Sequence, residues 1–253
     1  MLIAVDVGNT QIVVGAFADE SLHRSWRLST HRSMTADEFE VLLRGMLGEF
    51  GGAAADCIVS SVVPPLTDEI AHALRELTGR VPLVVAPGVK TGMPIRTDNP
   101  QEVGADRIIN AVAAHEKYGA PLVVIDFGTA TTLDVVNQNG EYAGGVICPG
   151  PQLGAEALAA RAARLPRVEL SVPDHVIGRN TVDSLRAGLM YGHAAMVNGL
   201  VSRIERELDV PIRVVATGGL SRTFGPLLDS LDVTDENLTL EGLRLVFSRN
   251  RPS

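Results

Sequence analysis

The chain is short of thiols, of positive charge and of long apolar runs, and each shortage removes a class of function. Its 253 residues include two cysteines, Cys57 and Cys148. Neither belongs to a C-x-x-C pair, so the ligands for a thiolate zinc site or a disulfide framework are missing. Such usage fits a reducing cytoplasm, which is the expected compartment. Lys and Arg number 22 against 30 Asp and Glu, giving a net charge of −8. The basic field needed to neutralise a nucleic-acid backbone is absent, so no nucleic-acid partner is expected, and an anionic ligand has to be gripped by local groups. No basic leader opens the sequence, and no apolar run approaches the roughly 20 residues of a membrane helix, so neither export nor a membrane is expected. There is no GxxxxGK[ST] segment, no GxGxxG after a strand, no HExxH helix and no nucleophile-elbow serine. The six histidines lack ligand spacing, and His115 and His193 read as hydrogen-bonded core or surface residues on helices.

What is present is an ordinary globular composition, 45% hydrophobic and 21% charged, with material for one or two buried cores. Leu2–Val7 is a short apolar run interrupted by Asp6 and followed by Gly8 and Asn9, which reads as a strand and a turn. Residues 12–17 and 22–28 read as two more strands of an antiparallel meander. Thr35 with Glu38 three positions on is a capping box ahead of Phe39, Leu42, Leu43 and Leu47, and predicts a helix there. Strands follow at 57–63 and 81–86, around an amphipathic helix carrying Ile70, Ala73, Leu74 and Leu77.

The second half restarts the phrase. PLVVIDFGTATT (121–132) repeats the apolar run, the Asp, a spacer, a Gly and the small polar residues of LIAVDVGNT, an internal repeat. Strands at 133–136 and 142–148 flank an Asn-Gly turn at 137–140, a hairpin signal. A long helix over 181–208, a strand at 212–216, a Gly218-Gly219 turn and a last helix complete the pattern. The expected class is mixed α/β with duplicated subdomains, divided as 1–115 and 116–253. Met190, Tyr191, Met196 and Leu200 fall at helical spacing and suit either core or a dimer interface.

A carboxylate at the carboxyl end of a buried strand stands at the rim of its sheet, where α/β folds bind ligands. Asp6 and Asp126 both occupy that position. Gly8 and Gly128 lack a Cβ and can take a positive φ, so backbone N–H groups there can approach a phosphate. Thr10, Thr129, Thr131 and Thr132 add short hydroxyl donors. Asp6 repels phosphate oxygens but can hold a hydrated Mg2+ that bridges to them. One Asp-x-Gly alone is as readily a tight turn. Two copies, with Thr217-Gly218-Gly219 after a third strand, favour a triphosphate gripped at both ends and an adenosine against bare backbone.

The segments DVGNT (6–10), DNPQEVGADRIINA (98–111), DFGTATT (126–132), GGVICPG (144–150), NTVDSLRAG (180–188) and ATGG (216–219) resemble the type III pantothenate kinases, in order and along nearly the whole chain. DxGNT is shared by many actin-like ATPases, whereas GADR followed by DFGTATT is close to diagnostic. The resemblance implies a duplicated actin-like (ribonuclease H-like) ATPase fold, two subdomains with mixed sheets flanked by helices. It implies ATP-dependent phosphorylation of pantothenate to 4'-phosphopantothenate, the first step of coenzyme A synthesis, by a homodimer using Mg2+ and a monovalent cation, K+ or NH4+. Under it Asp6, Val7, Gly8, Asn9, Thr10, Gln11, Ile12 and Val13 would form the first phosphate loop, with Asp6 organising Mg2+ through water. Gly104, Ala105, Asp106 and Arg107 would hold pantothenate, with Asp106 as general base. Asp126 would bind the monovalent cation, Thr129 would contact ATP, Thr181 would contact pantothenate, and Gly218 and Gly219 would lie near the nucleotide.

These roles are chemically coherent. A primary alcohol is a weak nucleophile, and a positioned carboxylate accepting its proton contributes about 10²- to 10⁴-fold; the rest of phosphoryl transfer rests on positioning and charge. Arg107 offers a fork for a substrate carboxylate, or else a structural ion pair. Asp126 suits a monovalent cation that offsets negative charge, or else caps its own turn. Two positions depart from the family pattern. Thr97 stands where many members have a tyrosine lining the pantothenate site, and Leu133 stands where phenylalanine is usual. Two other readings remain: a kinase for another small hydroxy acid or sugar, and a catalytically weak binding or regulatory relative.

Overall fold

The computed structural model describes residues 1–48 and 55–251, grouped into two compact units. The first unit comprises Met1–Met93, Asp98–Ala113 and Asn237–Ser253; the second comprises Pro94–Thr97 and Ala114–Glu236.

In the first unit, β1 (Leu2–Val7), β2 (Gln11–Ala18) and β3 (Ser21–Ser29) form the expected meander, and β4 (Asp56–Ser61) and β5 (Leu83–Val84) extend it in the order β3-β2-β1-β4-β5. β1 runs antiparallel to β2 and parallel to β4. Its nearly unbroken apolar run follows from burial on both faces. Ile3, Val5 and Val7 enter one core with Phe39, Leu43, Ile70 and Leu74, from α1 (Ala36–Leu47) and α2 (Pro64–Thr78). Leu2 and Ala4 enter the opposite core with Ile109, Leu240, Leu243 and Val246. Thr35 and Glu38 form the anticipated capping box of α1.

Ile109 lies on α3 (Ala105–Tyr118), and the three last residues lie on α8 (Leu238–Asn250). α8 thus packs on the first sheet, and the first unit takes in residues from both ends of the sequence. This packing has a physical cause. Leu240, Leu243 and Val246 are all buried against β1, β4 and Ile109, and an added Cβ on Gly242 would stand 2.3 Å from the Ile109 carbonyl. Burying an apolar helix face of this size outweighs chain order.

The second unit repeats the design. β6 (Leu122–Phe127), β7 (Ala130–Val136) and β8 (Tyr142–Pro149) form a meander, joined by β9 (Arg213–Thr217) and β10 (Val233–Thr234) in the order β10-β9-β6-β7-β8. β6 is antiparallel to β7 and parallel to β9, as β1 is to β2 and β4. The duplication inferred from the repeated phrase is therefore a duplication of topology.

Three details differ from expectation. α4 (Pro151–Arg161), with Gly154 inside it and apolar residues all round, has no amphipathic period to reveal it. The stretch 181–208 is divided into α5 (Thr181–Ala187), a π-helical turn (Gly188–Gly192) and α6 (His193–Leu208). Met190 in that turn is fully buried, and Met196 and Leu200 are half-buried against the same core. Between α6 and the end of the unit lies the one-turn α7 (Ser221–Phe224).

Candidate active site

In the first unit Asp6 is half-buried, level with Val13 on β2 and Ser60 on β4. The β1–β2 turn closes with the Gly8 amide donating to the Gln11 carbonyl at 3.0 Å. Gly8 keeps an ordinary φ, since the positive-φ glycines do not include it or Gly128. What Gly8 supplies is a missing Cβ, which would lie 3.0 Å from the Gln11 carbonyl. Asn9, Thr10 and Gln11 are exposed on the turn, and Ile12 and Val13 continue into β2.

Asp106 stands in the first turn of α3, half-buried like Gly104, Ala105 and Arg107. One of its oxygens accepts the Arg107 amide at 2.9 Å, and a carboxylate there is favoured by the helix N-terminus. Gly104 leaves room for this conformation: an added Cβ would sit 2.6 Å from Asp106 Oδ1 and would push the carboxylate aside. GADR therefore encodes a carboxylate folded back over its own helix start.

In the second unit the half-buried Asp126 is level with Thr132 and Thr217. The β6–β7 turn closes from the Gly128 amide to the Ala130 carbonyl at 3.1 Å. Two glycines from elsewhere press on it. Gly218, at φ 90°, comes so close that an added Cβ would stand 2.3 Å from Asp126 Oδ1, and the Gly150 amide donates to the Thr129 carbonyl at 3.1 Å. Asp126, Thr129 and Gly218 are thus brought together, and Gly219 follows directly. Thr181 opens α5 as an exposed residue, after the N-cap Asn180 whose side chain accepts the Asp183 amide at 2.9 Å. The three carboxylates fall in two units, Asp6 and Asp106 in the first and Asp126 in the second.

Further contacts surround these turns, among them those of Thr30, Arg32 and Asp134, which sequence reasoning passed over. Thr30 Oγ1 donates to the Gly8 carbonyl at 2.7 Å, the Thr30 amide donates to the Thr10 carbonyl at 3.0 Å, and Arg32 Nη2 donates to Asn9 Oδ1 at 3.2 Å. Behind the second turn, Thr131 Oγ1 and His193 Nε2 meet at 3.0 Å. The His193 ring lies beside the stacked pair Phe127 and Phe224, and burial pushes its pKa below the ordinary value. Buried Asp134 accepts from Thr132 Oγ1 at 3.0 Å and from Tyr142 OH at 2.7 Å. Leu133 is fully buried in the second core, and Thr97 is half-buried near Gly144.

Among the described residues no three His, Cys, Asp or Glu side chains form a metal cluster. A half-buried carboxylate such as Asp6 fits Mg2+, which keeps several waters and takes its other ligands from phosphates. The Asp126 oxygen beside the bare backbone of Gly218 is a hard donor of the kind a monovalent cation takes.

The model of the type III pantothenate kinase family matches residues 2–203. A type III pantothenate kinase from Moorella thermoacetica is 50% identical over 254 residues, covering 99% of this chain and all of that protein. Among solved structures, one provisionally described as a Baf family transcriptional activator from Campylobacter jejuni aligns with a TM-score of 0.63 at 20% identity, covering 98% of both chains. An activator of 2-hydroxyisocaproyl-CoA dehydratase from Clostridium difficile, solved with bound ADPNP, aligns with a TM-score of 0.58 at 12% identity, covering 98% of this chain and 95% of that one. At such identities the two structures speak for the fold alone, the duplicated actin-like one. With the family model spanning both Asp-bearing turns and GADR, and a relative matching from end to end, the chain belongs to the type III pantothenate kinase family.

Proposed function

We propose that this protein transfers the γ-phosphoryl group of ATP to the primary hydroxyl of pantothenate, yielding 4'-phosphopantothenate for coenzyme A synthesis. The observation that carries the reading is one-half identity over the full length of a type III pantothenate kinase, with Asp106 held at the start of α3 inside GADR. That relationship disfavours a binding or regulatory protein without chemistry, and no feature favours another hydroxy acid.

Asp106 takes the proton of the attacking hydroxyl, and Arg107 with Gly104 and Ala105 holds pantothenate, with Thr181. The turn Asp6–Val13 receives the phosphates, and Thr129, Gly218 and Gly219 contact ATP. Mg2+, organised by Asp6 through water, would offset charge on the transferring group, and K+ or NH4+ at Asp126 would do so for the bound phosphates. Thr97, smaller than the usual tyrosine, leaves the pantothenate tail with less aromatic surface. A cytoplasmic setting agrees with two unpaired cysteines, of which Cys57 has its thiol pKa pushed up to about 11, chiefly by burial. Among the described residues no helix is long and apolar enough to cross a membrane.

A homodimer is what membership of the family leads us to expect, and the exposed Ile147, Leu153, Leu158, Val172, Val176 and Ile177 of the second unit are apolar side chains that isologous pairing would cover. Ile177→Asp should lower the mass seen by light scattering; a wild-type monomer at micromolar concentration removes the dimer.

A coupled assay of ADP formation tests the activity, with and without pantothenate and with K+ exchanged for Na+. Turnover that depends on pantothenate is the expected result. ATP consumption indifferent to pantothenate would overturn the reading.

A further inference from the structure

Both phosphate turns lack a cation of their own. Neither DVGNTQIV (6–13) nor DFGTATT (126–132) contains Lys or Arg, and the first includes Asp6, which repels phosphate. A triphosphate needs positive charge within hydrogen-bonding reach, and Arg is the side chain best shaped to give it. The segment after β3 brings one to the first turn. The Thr30 side chain and amide fasten the Gly8 and Thr10 carbonyls, at 2.7 and 3.0 Å. Two residues on, the exposed Arg32 rests its guanidinium on Asn9 Oδ1 at 3.2 Å.

The chemistry of these contacts separates two duties. Thr30 occupies the two carbonyls flanking Asn9, so these acceptors are satisfied from within the protein and the shape of the turn is fixed. Arg32 has five donors, and its bond to Asn9 is to a neutral amide, a weaker partner than a phosphate oxygen. The guanidinium therefore gains by exchanging Asn9 for phosphate when a nucleotide arrives. We infer that the Thr30–Arg32 segment is a third component of the phosphate site, in which Arg32 is a phosphate ligand on the first turn and Thr30 is the residue that positions that turn. This inference rests on the reading of residues 6–13 as an ATP turn.

The test compares ATP, ADP and adenosine by calorimetry with Mg2+ present, then steady-state kinetics, for the whole protein and four variants. Wild type is measured first, since failure to bind MgATP would sink the ATP reading rather than this one. Arg32→Gln should weaken ATP by about tenfold or more while leaving adenosine within about twofold, because a lost charge-assisted bond acts only on phosphate. Asn9→Ala should weaken ATP far less, since it frees the guanidinium instead of removing it. Thr30→Val should lower kcat/KM for ATP with little change in the KM for pantothenate or in Tm, and Thr30→Ser should restore it. Equal affinities of wild type and Arg32→Gln for ATP, or equal losses for ATP and adenosine, would overturn the role of Arg32. Unaltered kinetics in Thr30→Val, or no rescue by serine, would overturn that of Thr30.

Discussion

The two Asp-bearing turns descend from one pattern, yet they are held by different means. The first, between β1 and β2, is exposed at Asn9, Thr10 and Gln11 and is braced by side chains from a segment about 20 residues away. The second, between β6 and β7, is braced by backbone: Gly218 lies against Asp126, Gly150 bonds Thr129, and the buried Thr131–His193 pair stands behind. Side-chain bracing can be exchanged for ligand contacts, whereas glycine packing cannot. Duplication has kept the strand-end carboxylate in both places and left one turn adaptable and the other rigid. On this comparison substitutions in the first unit should act on chemistry and ligand affinity, and those in the second on stability.

The largest effect is expected at Asp106. Asp106→Asn keeps the Arg107 amide bonded through its carbonyl oxygen but cannot take a proton, so turnover should fall by about 10²- to 10⁴-fold. ATP affinity and Tm should barely change. Kinetics alongside calorimetry check this, and near-normal turnover would remove the base assignment.

Gly218→Ala should be the most damaging change to the second unit. Its φ of 90° strains any other L-residue, and its Cβ would be driven to 2.3 Å from Asp126 Oδ1. Strain of this kind costs about 1–3 kcal/mol, read as a fall in Tm of about 2–4 °C per kcal/mol for a chain of this size. Gly150→Ala should follow it, since its Cβ would meet the Thr129 carbonyl at 2.3 Å. A Tm unchanged in both variants would mean that the second turn is not rigid at all.

His193 offers a pH test of the same rigidity. Burial lowers its pKa from an ordinary value of 6.5, so the folded chain holds the ring neutral where the unfolded chain begins to protonate it. Stability from this group is complete above the unfolded value and is lost as pH falls through the lowered folded value. Wild-type Tm should drop more between pH 7.5 and 5.5 than that of His193→Gln, which cannot titrate. Parallel curves would refute the contribution.

Much of this comparison was legible in the residues. Double-sided burial turns β1 and β6 into continuous apolar runs, and a carboxylate that breaks such a run just before Gly marks the strand end, so Asp6 and Asp126 stood out. The Thr35–Glu38 box and the turn at Asn137 depend on local bonds and were equally readable. Other features depend on distance. Thr30 reaches Gly8 across 22 positions from a segment without period, and the destination of α8 depends on a hole beside β1 that no pattern within 238–250 describes. The Gly150 contact was hidden because a glycine in sequence does not announce which backbone it will touch. α4 was missed because its apolar residues surround the helix instead of forming a stripe.

The smallest effect on stability, and the sharpest contrast with Gly218, is expected from Gly8→Ala. Gly8 has no positive φ, and its Cβ would lie 3.0 Å from the Gln11 carbonyl, a contact the exposed turn can relieve by a small shift. Tm should stay within about 2 °C of wild type, equivalent to under about 1 kcal/mol. ATP affinity should nonetheless fall, because the methyl group covers backbone that a phosphate must approach closely. Calorimetric affinity and Tm measured on the same samples separate the two outcomes. If Gly8→Ala lost as much Tm as Gly218→Ala, the first turn would be as tightly packed as the second, and their difference in character would vanish.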